Sequence, residues 1–223
     1  MNEVNKTLYI PLYGKAAVSK RRIILRDPKA EEIWEKEGFP LKGKSTSKWL
    51  AMYMGMRAAV FDRWLTGKLE KHPDALVLHI GCGLDGRINR VGNRTHLWYD
   101  IDFPEVIAER KKYFEDIPGY TMLGADVRET KWLDSLPSGS EAVVVMEGVS
   151  MYMDKQDLTN LLSRLRNRFE GLYLLFATEI VFCCRSHVFS PNRADRHHLF
   201  LTLYLPFRSH YFQIEASLDL LHF

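Results

Sequence analysis

The chain has 223 residues, of which 46% are hydrophobic and 26% charged, with a formal net charge of +3. This composition is enough for one hydrophobic core, so we expect a single domain. The small net charge gives no reason to expect nucleic acid as a partner, and the short basic run at residues 20–22 is typical of a solvated surface. Three cysteines are too few for a disulfide framework and indicate a reduced, cytoplasmic setting, and the absence of a signal-peptide pattern and of about 20 consecutive apolar residues predicts no membrane segment.

Two helices are predicted before the first strand. Asp27 is a capping residue for a helix that begins at Pro28 and ends at Gly38, because an aspartate cap, a first-position proline and a terminal glycine are typical helix boundaries. A second helix is predicted to begin after Ser47 and to run to Gly67, with apolar side chains at helical spacing. Residues 1–73 are therefore predicted to be a helical extension packed against the domain that follows.

A glycine-rich turn follows the first predicted strand, within residues 75–87. Glycines turn tightly and let backbone N–H groups approach a ligand, which is the use expected of Gly81 and Gly83. The next apolar run ends at Asp102, near the offset of about 20 residues at which an acid accepts hydrogen bonds from a ribose diol. The pattern fits both a dinucleotide and S-adenosylmethionine.

Two later apolar runs also end in acids, the third at Asp126 and the fourth at Glu147. Strands that alternate with helices, here opening at Pro104 and after Asp154, predict a parallel doubly wound sheet of the Rossmann-like α/β class over residues 74–182. The carboxyl ends of such strands share one crevice, so the three acids should converge there. Carboxylates suit the sulfonium, ammonium and adenine amine of S-adenosylmethionine better than a pyrophosphate. The alternative is that each acid caps the following helix.

Four segments resemble the leucine carboxyl methyltransferase family, and within it bacterial O-methyltransferases of polyketide synthesis. They are residues 80–87, 99–106, 124–128 and 146–152, in the family's order, and residues 10–15 and 24–33 are similar to the opening of that group. The resemblance implies a class I methyltransferase that uses S-adenosylmethionine. It implies cofactor contacts for Gly81, Gly83, Asp102, Asp126, Val127 and Glu147.

The resemblance also implies that the extension at residues 1–73 partly covers the cofactor site. Two of its cations, Lys15 and Arg57, are implied to lie near the carboxylate of the cofactor. Arg57 lies on an otherwise apolar helix, where a buried cation needs a partner; the alternative is a side chain that reaches into water. For Lys15 the alternative is an ordinary surface lysine. Asp85 and Arg87 match the family pattern and are expected to brace the glycine loop. His79 is expected to be a core histidine that bonds to backbone.

Methyl transfer is an in-line displacement that requires the acceptor oxygen at about 3 to 3.5 Å and the exclusion of water. A carboxylate acceptor is ionised at neutral pH and needs no base, whereas a phenol does. We find no histidine paired with an acid in the matching region. The expected acceptor is therefore a carboxylate or an acidic hydroxyl of a small molecule. Tyr152 is the candidate catalytic residue that positions it, and the alternative is a half-buried aromatic side chain.

The tail at residues 183–223 departs from the family pattern, with no lysine after Lys155 and no glycine after Gly171. We prefer the hypothesis of a frameshifted or truncated gene product, in which cofactor binding survives without turnover and the missing strands leave an edge of the sheet unpaired. The alternative is a genuine tail whose residues 199–205 and 211–216 are the last two strands. Cys183, Cys184 and the nearby histidines match no zinc spacing, so no metal is expected.

Three functions remain open at the level of sequence. The leading hypothesis is the S-adenosylmethionine-dependent O-methyltransferase. The second is an NAD(P)-dependent oxidoreductase, which Asp126, Glu147 and the lack of a Tyr-x-x-x-Lys pair disfavour. The third is a methyltransferase-like protein that binds the cofactor without turnover.

Overall fold

A computed structural model of the chain describes residues 3–38, 41, 46–92, 97–138, 140–177 and 201–204. Three helices precede the sheet: α1 (Glu3–Lys20), α2 (Pro28–Glu37) and α3 (Lys48–Lys71). The boundaries predicted for α2 are confirmed, since the Asp27 side chain accepts from the Ala30 N–H at 3.0 Å and Gly38 adopts a left-handed φ of 57°.

Helix α3 begins after its Ser47 cap as predicted but continues four residues past Gly67, so the predicted end is wrong. A glycine inside a helix costs only about 1 kcal/mol relative to alanine. Burial of Leu65 and Leu69, on either side of Gly67, outweighs that cost. Helix α1 was not predicted, because Pro11 and a glycine interrupt its pattern.

The sheet has the strand order β3-β2-β1-β4-β5-β6. Its strands are β1 (Leu76–Ile80), β2 (Trp98–Asp102), β3 (Tyr120–Gly124), β4 (Glu141–Met146), β5 (Gly171–Ala177) and β6 (Leu201–Tyr204). The first five are parallel and β6 is antiparallel to β5. This arrangement confirms the predicted doubly wound α/β class.

Helices cover both faces of the sheet. The remaining helices are α4 (Arg87–Val91), α5 (Pro104–Arg110), α6 (Lys131–Asp134) and α7 (Lys155–Arg168). One face shares a hydrophobic cluster with α1, α2, α3 and α5, and the other packs against α6 and α7. The helical extension is thus part of the main core. No helix in the described ranges is both long and apolar enough to cross a membrane.

The tail contributes one described strand. Residues 174–177 of β5 pair with β6. The prediction that a frameshifted tail leaves the sheet edge unpaired is therefore wrong at these positions. The alternative, which assigned residues 199–205 to a strand, agrees with the position of β6. The predicted strand at 211–216 and the pair Cys183 and Cys184 lie outside the described residues.

Candidate functional site

The strand order reverses direction between β1 and β4, whose last residues Ile80 and Met146 pair with each other. In open α/β sheets ligands bind beyond the carboxyl ends of the strands at such a point. Gly81 follows one of these strands and Glu147 follows the other. Asp102 ends the neighbouring strand, so the predicted residues meet at one edge of the sheet.

The glycine loop adopts a conformation that other residues rarely adopt. Gly81 and Gly83 have left-handed φ values of 68° and 49°, and a Cβ on Gly81 would overlap the side chain of Val149. The Gly83 N–H donates to Asp102 Oδ2 at 2.8 Å, and its carbonyl accepts from Arg110 Nη1 at 2.9 Å. The peptide groups on both sides of Gly83 are therefore fixed by side chains, one from the half-buried Asp102 and one from the buried Arg110.

Asp102 keeps acceptor capacity for a ligand. Its Oδ1 accepts the N–H of Phe103 at 2.8 Å and its Oδ2 that of Gly83. A carboxylate has about four lone-pair sites, so about two of them are free of these bonds. Burial raises the pKa of Asp102, while the two backbone N–H groups oppose that rise.

Both cations predicted from the extension are buried and paired. Lys15 Nζ lies 2.6 Å from Asp85 Oδ2, and Arg57 Nε lies 2.9 Å from Glu147 Oε1, with 4% and 5% of the two basic side chains exposed. The alternatives of a surface lysine and a water-seeking arginine are therefore wrong. Burial alone would raise the pKa of Glu147, but Lys15, Arg57 and Arg87 hold it well below its usual range.

Arg87 is the centre of this charge cluster. It donates from Nε to Asp62 at 2.8 Å, from Nη1 to His79 Nε2 at 3.1 Å and from Nη2 to Glu147. The cluster has four cations and four anions: Lys15, Arg57, Arg87, Arg90, Asp27, Asp62, Asp85 and Glu147. The positive and negative charges are equal in number, and each group forms an ion pair with at least one group of opposite sign.

His79 joins this cluster to a second buried network. The histidine is in the core as predicted, but the expectation of backbone bonds is wrong, because its Nδ1 lies 3.0 Å from Asp100 Oδ1 and its Nε2 accepts from Arg87. Asp100 also pairs with Arg110 and accepts the Tyr120 hydroxyl at 2.7 Å. Burial and the charge of Arg87 lower the pKa of His79, which favours the neutral ring.

The three strand-end acids do not cap helices, so that alternative is wrong. Helix α5 follows Asp102, α6 follows Asp126 and a short 3₁₀ helix (Ser150–Tyr152) follows Glu147, and none of the three receives a side-chain cap. Asp126 instead pairs with Arg128 and accepts its N–H at 3.0 Å. The backbone places it beside Asp102, whose carbonyl accepts the Ala125 N–H at 2.8 Å.

The remaining predicted residues lie near the same edge of the sheet. Val127 packs at the margin of the cluster beneath α6 and α7. Tyr152 lies in the 3₁₀ helix with 67% of its surface exposed, so the alternative of a half-buried ring is wrong. Tyr53 was not predicted as a neighbour of Arg57, although its ring lies 5.7 Å from Arg57 Cζ. The two residues are one helical turn apart on α3, and this spacing could have predicted the contact.

A family model described as leucine carboxyl methyltransferase matches residues 11–166. The tetracenomycin polyketide synthesis O-methyltransferase TcmP of Streptomyces glaucescens is 35% identical over 164 residues, which cover 73% of this chain and 61% of that protein. The S-adenosyl-L-methionine-dependent methyltransferase dpfgK of Gibberella zeae is 27% identical over 135 residues, 56% of this chain and 45% of the relative. The chain thus spans less than two thirds of either relative.

Among solved structures, magnesium protoporphyrin IX methyltransferase from Synechocystis PCC 6803 with bound SAH is similar with a TM-score of 0.44 and 15% identity. That match covers 69% of this chain and 68% of the solved one.

Proposed function

The chain belongs to the leucine carboxyl methyltransferase family, and from this premise we propose that it is an S-adenosylmethionine-dependent O-methyltransferase. The observation that carries the proposal is the placement of Asp102 and of the Arg57–Glu147 pair on the two sides of the glycine loop. An acid on one side suits a ribose diol. A buried cation on the other side suits a carboxylate.

The residues fit each part of the cofactor. Asp102, with about two free lone-pair sites, would accept both ribose hydroxyls. Lys15 and Arg57 would meet the carboxylate, and Asp126 and Val127 would meet the adenine. The amino and carboxylate groups of the cofactor form a zwitterion, which suits a cluster in which four cations balance four anions.

The bound cofactor would supply a methyl group already activated by the sulfonium, so the protein's contribution is to orient the acceptor and exclude water. His79 is fully buried, and both ring nitrogens are occupied by Asp100 and Arg87. It therefore does not serve as a general base. Glu147 is committed to two arginines. Neither group takes a proton from the acceptor, which supports a small-molecule acceptor that is already ionised, such as a carboxylate or an acidic hydroxyl.

Tyr152 is the residue that we propose to position the acceptor. It is exposed, and it lies in the 3₁₀ helix that follows Glu147. An exposed phenol can donate a hydrogen bond to an anionic oxygen and can stack on an acceptor ring.

We also propose a cytoplasmic location, supported by the free thiol of Cys82.

The test is transfer of a labelled methyl group from S-adenosylmethionine to a panel of carboxylic and phenolic small molecules. We expect transfer to at least one of them. Tyr152→Ala should lower kcat/KM without changing the affinity for S-adenosylhomocysteine, and Tyr152→Phe separates the hydroxyl from the ring. Binding of S-adenosylhomocysteine without transfer to any acceptor would instead support a protein that binds the cofactor without turnover.

A further inference from the structure

We propose that Arg87 is a positioning residue that fixes the two acids on which the carboxylate-binding cations rest. The inference rests on the proposed function, because it assigns a role within the same site. Arg87 is completely buried. Its role would be to act through Asp85 and Glu147 and not by touching the cofactor itself.

The geometry places Arg87 between two ion pairs. Its Nη2 contacts Glu147, which holds Arg57, and lies 3.4 Å from Asp85, which holds Lys15. Without a cation between them, two buried carboxylates repel each other. The position of Arg87 therefore sets the separation of Lys15 and Arg57.

The guanidinium is itself held from two directions. Asp62 of α3 accepts from its Nε at 2.8 Å, and His79 of β1 accepts from its Nη1 at 3.1 Å. Arginine alone has a planar fork of five N–H donors that can satisfy partners on three sides at once. A lysine would keep the charge but could not keep these directions, so charge and position can be separated by one substitution.

Arg110 provides a matched control within the same connected network. It is also completely buried, and it reaches His79 through Asp100. At the site, however, Arg110 donates to the carbonyl oxygen of Gly83, and the N–H of the same glycine donates to Asp102. Arg110 thus supports the loop on the ribose side, whereas Arg87 supports the acids on the methionine side.

The experiment measures the affinity of two ligands by calorimetry for the full chain. S-adenosylhomocysteine carries the amino acid group, and 5′-methylthioadenosine has the same nucleoside without it. Because a hydrogen bond to a charged group contributes about 1.4 kcal/mol or more, Arg87→Lys should lower the affinity for S-adenosylhomocysteine about tenfold or more. The affinity for 5′-methylthioadenosine should stay within about twofold, since that ligand has no group for the displaced cations. Arg110→Lys should weaken both ligands by similar factors.

An equal loss of both ligands in Arg87→Lys, or no loss of either, would overturn the inference. If Arg87→Lys does not fold, Asp62→Glu takes its place, because it keeps every charge and moves the acceptor that Arg87 Nε shares with Arg90. It should again weaken only S-adenosylhomocysteine, and an equal loss of both ligands would count against Arg87. A wild-type chain that binds neither ligand would refute the proposed function itself.

Discussion

Replacement of Asp102 by alanine tests the ribose side of the site. The carboxylate accepts two backbone N–H groups at 2.8 Å and would accept the ribose hydroxyls with its free lone pairs. A net hydrogen bond to a charged group is worth about 1.5 to 3 kcal/mol, so the affinity for S-adenosylhomocysteine should fall by roughly tenfold to a hundredfold. Part of this loss would come from the loop, because the Gly83 N–H loses its acceptor.

Calorimetry and thermal unfolding separate these contributions when Asp154→Ala is measured beside Asp102→Ala. Asp154 also accepts a backbone N–H, that of Asp157 at 2.7 Å, but this bond caps α7 and does not involve the glycine loop. Loss of this cap should cost about 0.5 to 2 kcal/mol of stability and leave the affinity unchanged. An unchanged affinity for S-adenosylhomocysteine in Asp102→Ala would refute Asp102 as the ribose acid. An equal loss of affinity in both variants would show that Asp102 affects binding only through the stability of the fold.

Two further predictions concern stability. Gly81→Ala should destabilise the fold and abolish cofactor binding, because its Cβ would overlap Val149 at a left-handed φ. Gly67→Ala has open space around its Cβ and should gain about 0.5 to 1 kcal/mol of stability, measured by thermal unfolding. Similar stabilities of the two variants would contradict the conformation assigned to the glycine loop. Burial alone would raise the pKa values of Asp100 and Glu147, but Arg110 beside Asp100, and Lys15, Arg57 and Arg87 beside Glu147, lower them. The stability that these carboxylates add is therefore present above about pH 5 and is lost as the pH falls below about 4. Urea unfolding at a series of pH values from about 5 down to about 2 measures the loss, and a constant free energy of unfolding would show that the buried pairs do not form.

Local signals in the sequence were sufficient for the elements with clear boundaries. The cap at Asp27 and the glycine after α2 follow from backbone chemistry within a few residues, and the apolar runs that end in acids predicted β2, β3 and β4. The need of a buried cation for a partner also anticipated the pairing of Arg57. Helix α1 was not predicted, since Pro11 breaks its local pattern and burial of Leu12 and Ala16 against α2 and α3 stabilises it.

The partners within the charge cluster could not be predicted, because they are distant in the chain. Arg57 and Glu147 are separated by 90 residues, and Arg90 and Asp27 by 63. No local pattern indicates that α4 would bring an arginine to the cap of α2. For the same reason His79 was assigned to backbone partners, although Asp100, which lies directly opposite it on the neighbouring strand β2, supplies the carboxylate that it contacts.

We propose that the crevice beside the glycine loop holds S-adenosylmethionine and not a dinucleotide. Calorimetric titration of the chain with S-adenosylhomocysteine and, in parallel, with NAD distinguishes the two ligands, because the glycine spacing alone fits both. We expect saturable binding of S-adenosylhomocysteine and no heat of binding with NAD. Saturable binding of NAD with none of S-adenosylhomocysteine would contradict it.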